Sequence, residues 1–262
     1  MQAILFDIDG VIYQRGAIID GAAETLKWLR QQQIPYLFVS NSTTLSRDQI
    51  SARLNSSAIP CSSEQILTPA VAARDWIAAH PGKKMAVFVP DAIRHEFDDV
   101  VSFNDDEAQG VIVGDLGANW NYFTLNHAFR ILMKSPDMLL MGLGMSRYQN
   151  DGQGLQMDSG PFIKALEFAA NKSALVMGKP ASSFFQQALN HLGVKAEQTL
   201  MVGDDLMSDV MAAKNCGIHG CLVRTGKYQY QDELGVIKPE FVIDSIKDLP
   251  GLWMEGQLAQ VS

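Results

Sequence analysis

Cysteine is scarce in this chain: Cys61, Cys216 and Cys221 are the only three in 262 residues, and no Cys-x-x-Cys occurs. That count excludes a disulfide-stapled scaffold and fits reduced thiols in a cytoplasmic compartment. Cys216 and Cys221 stand beside Gly217 and Gly220 and read as small core residues. Long apolar runs are missing as well, since no stretch approaches the roughly 20 residues that a membrane span needs. The first apolar run starts almost at Met1, so no signal peptide is expected. Basic residues are the minority, 21 Lys and Arg against 29 Asp and Glu, for a net charge of −8 and a pI near 5.1. With no local basic run to offset it, that balance argues against nucleic acid and anionic membrane as partners. His80, His95, His127, His191 and His219 show no metal-ligand spacing. Gly142-Leu143-Gly144 lacks the third glycine and the prompt helix of a dinucleotide fingerprint. Repeats and low-complexity tracts are absent too.

What is present starts at the N-terminus. Ile4-Leu5-Phe6-Asp7-Ile8-Asp9-Gly10-Val11 reads as a buried strand that delivers two carboxylates to its end, just before a glycine. Asp7 and Asp9 share one face only where the strand gives way to a turn. Two acids there repel unless a cation joins them, and Mg²⁺ prefers oxygen ligands. The plainer reading is that both merely cap a turn. Later segments bear on that choice.

A length of 262 residues, 47% of them apolar and 19% charged, suits one large or two smaller soluble domains. Asp20 is expected to cap a helix carrying Ala22, Leu26 and Leu29 on one face, and Tyr36 to Val39 forms a second strand ending at Ser40-Asn41. Strand, helix and strand make a βαβ unit, so Ser40 belongs at the same sheet edge as Asp7, where open α/β sheets bind ligands. Ser46 and Gln49 predict a capping box, and Thr68-Pro69 a capped helix start, after a short strand at Ile66-Leu67. Pro81-Gly82 then ends the first segment.

Residues 82–172 hold a second alternating run. It has strands at Met85 to Val89, Val111 to Val113 and Met138 to Met141, helices at Tyr122 to Met133 and Phe162 to Ala170, and a long loop from Gly144 to Gly160. The first pattern then resumes. A strand at Ala174 to Met177 leads to Gly178-Lys179-Pro180, and one at Thr199 to Val202 leads to Gly203-Asp204-Asp205. A helix from Asp209, capped by Ser208, runs to Cys216, and late strands lie at Cys221 to Val223 and Phe241 to Ile243. The expected fold is therefore α/β: a doubly wound, Rossmann-like parallel-sheet core built from 1–81 and 173–262, with a smaller α/β domain, 82–172, inserted.

The strand ends carry Asp7, Asp9, Ser40, Asn41, Lys179, Asp204, Asp205 and Asp209. Such a set suits a phosphate monoester, because phosphoryl transfer needs mainly positioning and charge neutralisation. Phe6-Asp7-Ile8-Asp9-Gly10-Val11, Val39-Ser40-Asn41-Ser42, Gly178-Lys179-Pro180 and Gly203-Asp204-Asp205-x-x-x-Asp209 resemble, in order, the four motifs of the haloacid dehalogenase-like (HAD) phosphohydrolases. The resemblance implies that Asp7 is the nucleophile forming an aspartyl-phosphate and Asp9 the general acid and base. It implies that Ser40 and Asn41 hold phosphate and that Lys179 stabilises the phosphoryl group and Asp7. Mg²⁺ would be bound by the Asp7 side chain, the Asp9 carbonyl and Asp204, with Asp205 or Asp209 orienting waters or Lys179. Plainer readings make Ser40 a turn former, Lys179 a solvated cation and Asp209 a first-turn residue of its helix.

About a hundred extra residues separate Ser40 from Lys179, so the inserted domain resembles the larger α/β cap of subfamily IIA. Gly142 to Tyr148 and Gly152 to Pro161, followed by Lys164 to Glu167, look like the branch of phospholysine phosphohistidine inorganic pyrophosphate phosphatases. The family implies a small phosphorylated substrate, a phosphomonoester or else a pyrophosphate or P–N compound, and the loop residues Asn119, Arg147 and Tyr148 are the cap positions expected to contact it. The family also implies a homodimer through the cap. Asp9 argues against a dehalogenase, whose halide leaves without a proton, and against a phosphonate hydrolase, which uses a different electrophilic partner. A phosphomutase or phosphotransferase with the same nucleophile, and a non-catalytic phosphate-binding protein, are the alternatives.

Overall fold

The computed structural model describes residues 1–150, 154–236 and 238–254. The chain separates into two compact units. One comprises Met1–Ser40, Arg47–Leu67 and Lys179–Ser262, the other Asn41–Ser46 and Thr68–Gly178. Each is built on its own parallel sheet.

In the first unit, Ala3–Phe6 is buried along its whole length, as an apolar run in a sheet covered on both faces must be. It pairs in parallel with Tyr36–Val39 on one side and Thr199–Gly203 on the other. Ile66–Leu67 extends the sheet beyond the first neighbour, and His219–Val223 and then Phe241–Ile243 extend it beyond the second. The chain thus winds outward from the central strand in one direction, leaves, and returns beside it to wind outward in the other. That makes the edge between Ala3–Phe6 and Thr199–Gly203 the topological switch point, where such sheets open a crevice. Phe6, Phe38, Leu26, Leu29 and Leu54 are fully buried in the shared core, each contributing about 2 kcal/mol by burial.

The second unit holds a four-stranded parallel sheet in the order Leu175–Val176, Leu139–Gly142, Gly110–Val113, Ala86–Phe88. Helices Tyr122–Leu132 and Ser159–Ala170 contribute to its core through Ala128, Ile131, Leu132, Ile163 and Leu166. Pro69–Ala78 also belongs to this unit, with Thr68 as its N-cap as the sequence predicts. Gly142 is a packing glycine, since a Cβ there would meet Ile163 at 2.7 Å.

Several local expectations are corrected. Asp20 does not cap the first helix. Gly21 does, at φ 79°, and the helix is Ala22–Gln31. The connection before it holds a hairpin of Tyr13–Gln14 and Ala17–Ile18. The 144–160 segment also contains a hairpin, Tyr148–Asn150 with Leu155–Met157, and its helix starts early at Ser159, capped by Asp158. Gly152 lies outside the described residues. Leu175–Val176 joins the second sheet rather than the first, because its partner is Leu139–Gly142. Ser208 is not a cap. Asp205 takes that place by accepting the Met207 and Ser208 N–H groups at 3.1 and 2.9 Å, so the helix opens as a π-helical turn, Leu206–Met211, before Ala212–Asn215.

Candidate active site

Asp7 follows the central strand directly, and its N–H still donates to Val202 of the neighbouring strand at 3.0 Å, which fixes its backbone at the switch point. From the far side of that point comes Asp204, after Thr199–Gly203. Lys179, 172 residues from Asp7 in sequence, places its ammonium 2.6 Å from Asp7 Oδ1 and 2.7 Å from Asp209 Oδ1. All four side chains are buried, Asp204 to 1% and Asp209 to 2% exposure.

Local geometry explains how these groups converge. The π-helical turn carries Asp209 back over the strand end, where a Cβ on Gly203 would sit 2.3 Å from its own Cβ, so position 203 takes only glycine. Asp209 Oδ2 accepts the Asp205 N–H at 3.3 Å. Gly10, at φ +96°, and Gly226, at φ +64°, close on Asp204 from two loops, and an added Cβ at either would fall within about 2 Å of Oδ2, at 1.9 and 2.0 Å. That crowding lets the Lys227 N–H donate to Asp204 Oδ2 at 2.7 Å. Thr225 Oγ1 ties the same loop to the Gly10 carbonyl.

Electrostatically the cluster is short of positive charge. Burial raises Asp7 above the ordinary carboxylate range, and Lys179 only partly reverses it. Burial likewise pushes Asp204 up to about 6 and Asp209 up to about 6. It disfavours the Lys179 ammonium too, but Asp209 and Asp7 outweigh that and hold its proton more firmly than usual. Three buried carboxylates thus face one ammonium. Asp7, Asp204 and Asp209 can bring one oxygen each within 4.8 Å of one another, and Asp204 Oδ1 is buried without a hydrogen-bond partner. An orphaned, all-oxygen, doubly negative pocket fits a hard divalent cation.

The remaining sequence-predicted residues differ in setting. Ser40 is buried at its strand end and its N–H donates to Leu67 at 3.0 Å. Asp9 is exposed, and its carboxylate lies 3.5 Å from Arg53, whose guanidinium stacks 3.9 Å above the Tyr13 ring. Asn41, exposed, belongs to the second unit, as do exposed Asn119, Arg147 and Tyr148. Lys227 and Arg53 escaped the sequence reading. Lys227 was within reach, since Thr225-Gly226-Lys227 ends the strand His219–Val223 just as the other site residues end theirs. Arg53 sits mid-helix and carries no such signal.

Fold and site together define an α/β protein of the doubly wound kind, with a buried cluster of carboxylates and one lysine at the switch point of its six-stranded sheet. Residues 4–101 match the haloacid dehalogenase-like hydrolase family, and residues 176–249 match the HAD-hydrolase-like family. The chain is 33% identical over 260 residues to the phospholysine phosphohistidine inorganic pyrophosphate phosphatase of Homo sapiens, covering 97% of this chain and 95% of that protein. It is 34% identical over 233 residues to haloacid dehalogenase-like hydrolase domain-containing protein 2 of Bos taurus, covering 89% and 88%. Among solved structures, p-nitrophenyl phosphatase from Archaeoglobus fulgidus superposes with a TM-score of 0.85 at 27% identity, covering 95% of this chain and 97% of that one. The chain belongs to the haloacid dehalogenase-like hydrolases, in subfamily IIA, and is a phosphatase of that family. No helix among the described residues is long and apolar enough to cross a membrane.

Proposed function

We propose that the protein is a Mg²⁺-dependent phosphatase that hydrolyses a small phosphorylated metabolite through an aspartyl-phosphate on Asp7. The observation that carries this reading is the Lys179 ammonium held between Asp7 and Asp209 at 2.6 and 2.7 Å, beside an unpartnered Asp204 oxygen.

In this mechanism the Asp7 carboxylate attacks phosphorus while Asp9 gives its proton to the departing oxygen. Asp9, now a carboxylate, then takes a proton from the water that attacks the phosphoryl group, which frees Asp7 and releases inorganic phosphate. Lys179 balances the charge on the phosphoryl oxygens and favours the ionised form of Asp7 against the effect of burial. Ser40 and the Asn41 amide donate to the other phosphoryl oxygens. Asp209 acts through Lys179, fixing its ammonium against Asp7. The Asp7 and Asp204 side chains and the Asp9 carbonyl would hold Mg²⁺, which supplies charge neutralisation to the phosphoryl group when bound. The Lys227 amide, by occupying Asp204 Oδ2, leaves Oδ1 for that role.

The second unit, centred on 82–172, is proposed as the cap that selects substrate, with Asn119, Arg147 and Tyr148 as contacts. Pyrophosphate and P–N compounds join phosphomonoesters as candidates because of what the human relative is called. A dimer through the cap is supported by Tyr122 and Phe123, 74% and 82% exposed, and a monomer in size-exclusion chromatography would refute it. Three free thiols support a reducing, cytoplasmic setting. The deciding experiment is phosphate release from p-nitrophenyl phosphate, with Mg²⁺ and with chelator, for wild type and Asp7→Asn. Metal-dependent release lost in the variant is expected. Phosphate binding without turnover on any phosphorylated substrate would favour a binding protein instead.

A further inference from the structure

A cleft of about 270 Å³ opens in the first unit beside Asp9, and its lining includes Asp9, Tyr13, Arg15, Asp204 and Lys227. We propose that this cleft is a second anion subsite, which seats an anionic group on the leaving part of the substrate, so that esters whose alcohol carries its own carboxylate or phosphate are preferred.

The carboxylates at this mouth already have partners. Asp9 lies by Arg53, and Asp204 accepts the Lys227 amide. Lys227 Nζ is 3.4 Å from Asp205 and 71% exposed, so it retains capacity for a further anion. Arg15 has no ion-pair partner among the described residues. Two cations therefore face a cleft in a chain of net charge −8, where a second anion would otherwise be repelled.

Arg15 also stands where local physics disfavours it. It is the first central residue of the two-residue hairpin loop between Tyr13–Gln14 and Ala17–Ile18, at φ 50°, followed by Gly16 at φ 83°. That turn calls for positive φ at both positions, which Asn-Gly supplies readily and arginine does not. An arginine at such a position, lining a cleft with Asp9, points to use rather than to folding. Because the cleft adjoins Asp9, the group proposed to protonate the leaving oxygen, an anion there belongs to the alcohol and not to the transferred phosphoryl group. Guanidinium suits carboxylate and phosphate alike.

The inference rests on the proposed roles of Asp7 and Asp9, and its test separates the two. Phenyl phosphate, p-carboxyphenyl phosphate and hydroquinone bisphosphate form a series with neutral, carboxylate and phosphate-bearing leaving groups. Wild type should favour the two anionic esters, and Arg15→Asn, which suits the turn, should lower kcat/KM for them relative to phenyl phosphate by about fivefold. Arg15→Lys should recover part of that ratio, and the larger loss of the two anionic esters identifies the preferred anion. Melting of Arg15→Asn should be no lower than wild type, which excludes misfolding. Dissociation constants for the same esters, measured on the Asp7→Asn background, give the ratio without turnover. An unchanged ratio there overturns the subsite, whereas a changed ratio with no turnover in wild type overturns the phosphatase reading alone.

Discussion

The two sheets are built alike and finish differently. Both are parallel, both bury their strands, and both end strands in short turns of glycine and aspartate. In the second sheet, Gly110–Val113 runs into Gly114-Asp115, and Asp115 is as buried, at 5%, as the site acids. Its carboxylate accepts the N–H of Gly117 two residues on, at 2.9 Å, the ordinary business of a turn aspartate. In the first sheet Asp7 meets a lysine 172 residues away, and among the described residues only Asp7, Asp204 and Asp209 cluster closely enough to share a cation. Equal burial at a strand end therefore does not make a site. What marks the first sheet is that its strand-end acids converge on one another and on a distant lysine, with negative charge left over.

The largest test of that contrast is catalytic. Asp7→Asn should lower phosphate release by about 10⁴-fold or more, whereas Asp115→Asn should act on stability with kcat/KM on p-nitrophenyl phosphate near wild type. Comparable losses from both would mean that the second sheet's edge is reactive as well.

Next in size is the buried cation. Lys179→Ala leaves Asp7 and Asp209 facing each other without an ammonium, a loss of about 3–5 kcal/mol in stability, which lowers Tm by roughly 10 °C. Lys134 in the second unit makes an equally short pair with Asp106, 2.7 Å, but Asp106 is 87% exposed. Lys134→Ala should shift Tm by no measurable amount. Calorimetry of the two variants side by side measures how far burial, rather than distance, sets the worth of an ion pair.

The same contrast explains what was legible in the sequence. Strand ends at the N-terminal motif, at Ser40, at Lys179 and at Gly203-Asp204 could be read from apolar runs that stop at polar or glycine residues, and so the sheet edge was within reach. Asp209 was ambiguous because its role depends on a π-helical turn, and nothing in a 3.6-residue periodicity signals one inserted residue. Asp205 and Ser208 were confused for the same reason, since a cap is recognised by where the helix starts. Leu175–Val176 was assigned to the wrong sheet because a two-residue strand carries pattern but no address: its partner, Leu139–Gly142, is chosen by tertiary pairing. Arg53 was invisible because only the folded chain brings residue 53 to residue 9.

Glycines sharpen the comparison on a smaller scale. Gly226 and Gly117 both hold positive φ, +64° and +53°, one in each unit. Alanine at 117 meets nothing within 4 Å, so only backbone strain of about 1 kcal/mol is expected. Alanine at 226 pays the same strain and places its Cβ 2.0 Å from Asp204 Oδ2 and 2.5 Å from the Gly10 Cα, displacing the carboxylate from the Lys227 amide. Gly226→Ala should therefore weaken Mg²⁺ activation, raising the metal concentration for half-maximal rate by about tenfold, while Gly117→Ala leaves it unaltered. Metal titrations of the two variants decide the matter.

The smallest expected effect is a pH dependence seated in the buried acid cluster of the first unit. Burial holds Asp204 up at about 6 against an ordinary value of 3.8. The folded state thus grips this proton more tightly than the unfolded chain, so the group favours folding at low pH. Between about pH 4 and 6 that contribution is lost as pH rises, and above about 6 the metal-free protein carries an ionised, buried carboxylate at full cost. Asp7, and Asp209 up to about 6, are raised in the same direction by their burial and add to the trend. A cation relieves the cost only where the carboxylate is ionised, so Mg²⁺ should raise Tm by about 2–4 °C near pH 7.5 and by much less near pH 5. Asp204→Asn should remove most of the difference between the two pH values, because the amide has no proton to lose and no charge to give the metal. Equal Mg²⁺ shifts at both pH values in wild type would place the stabilising ion away from this cluster, and the contrast between the two sheets would then rest on Lys179 alone.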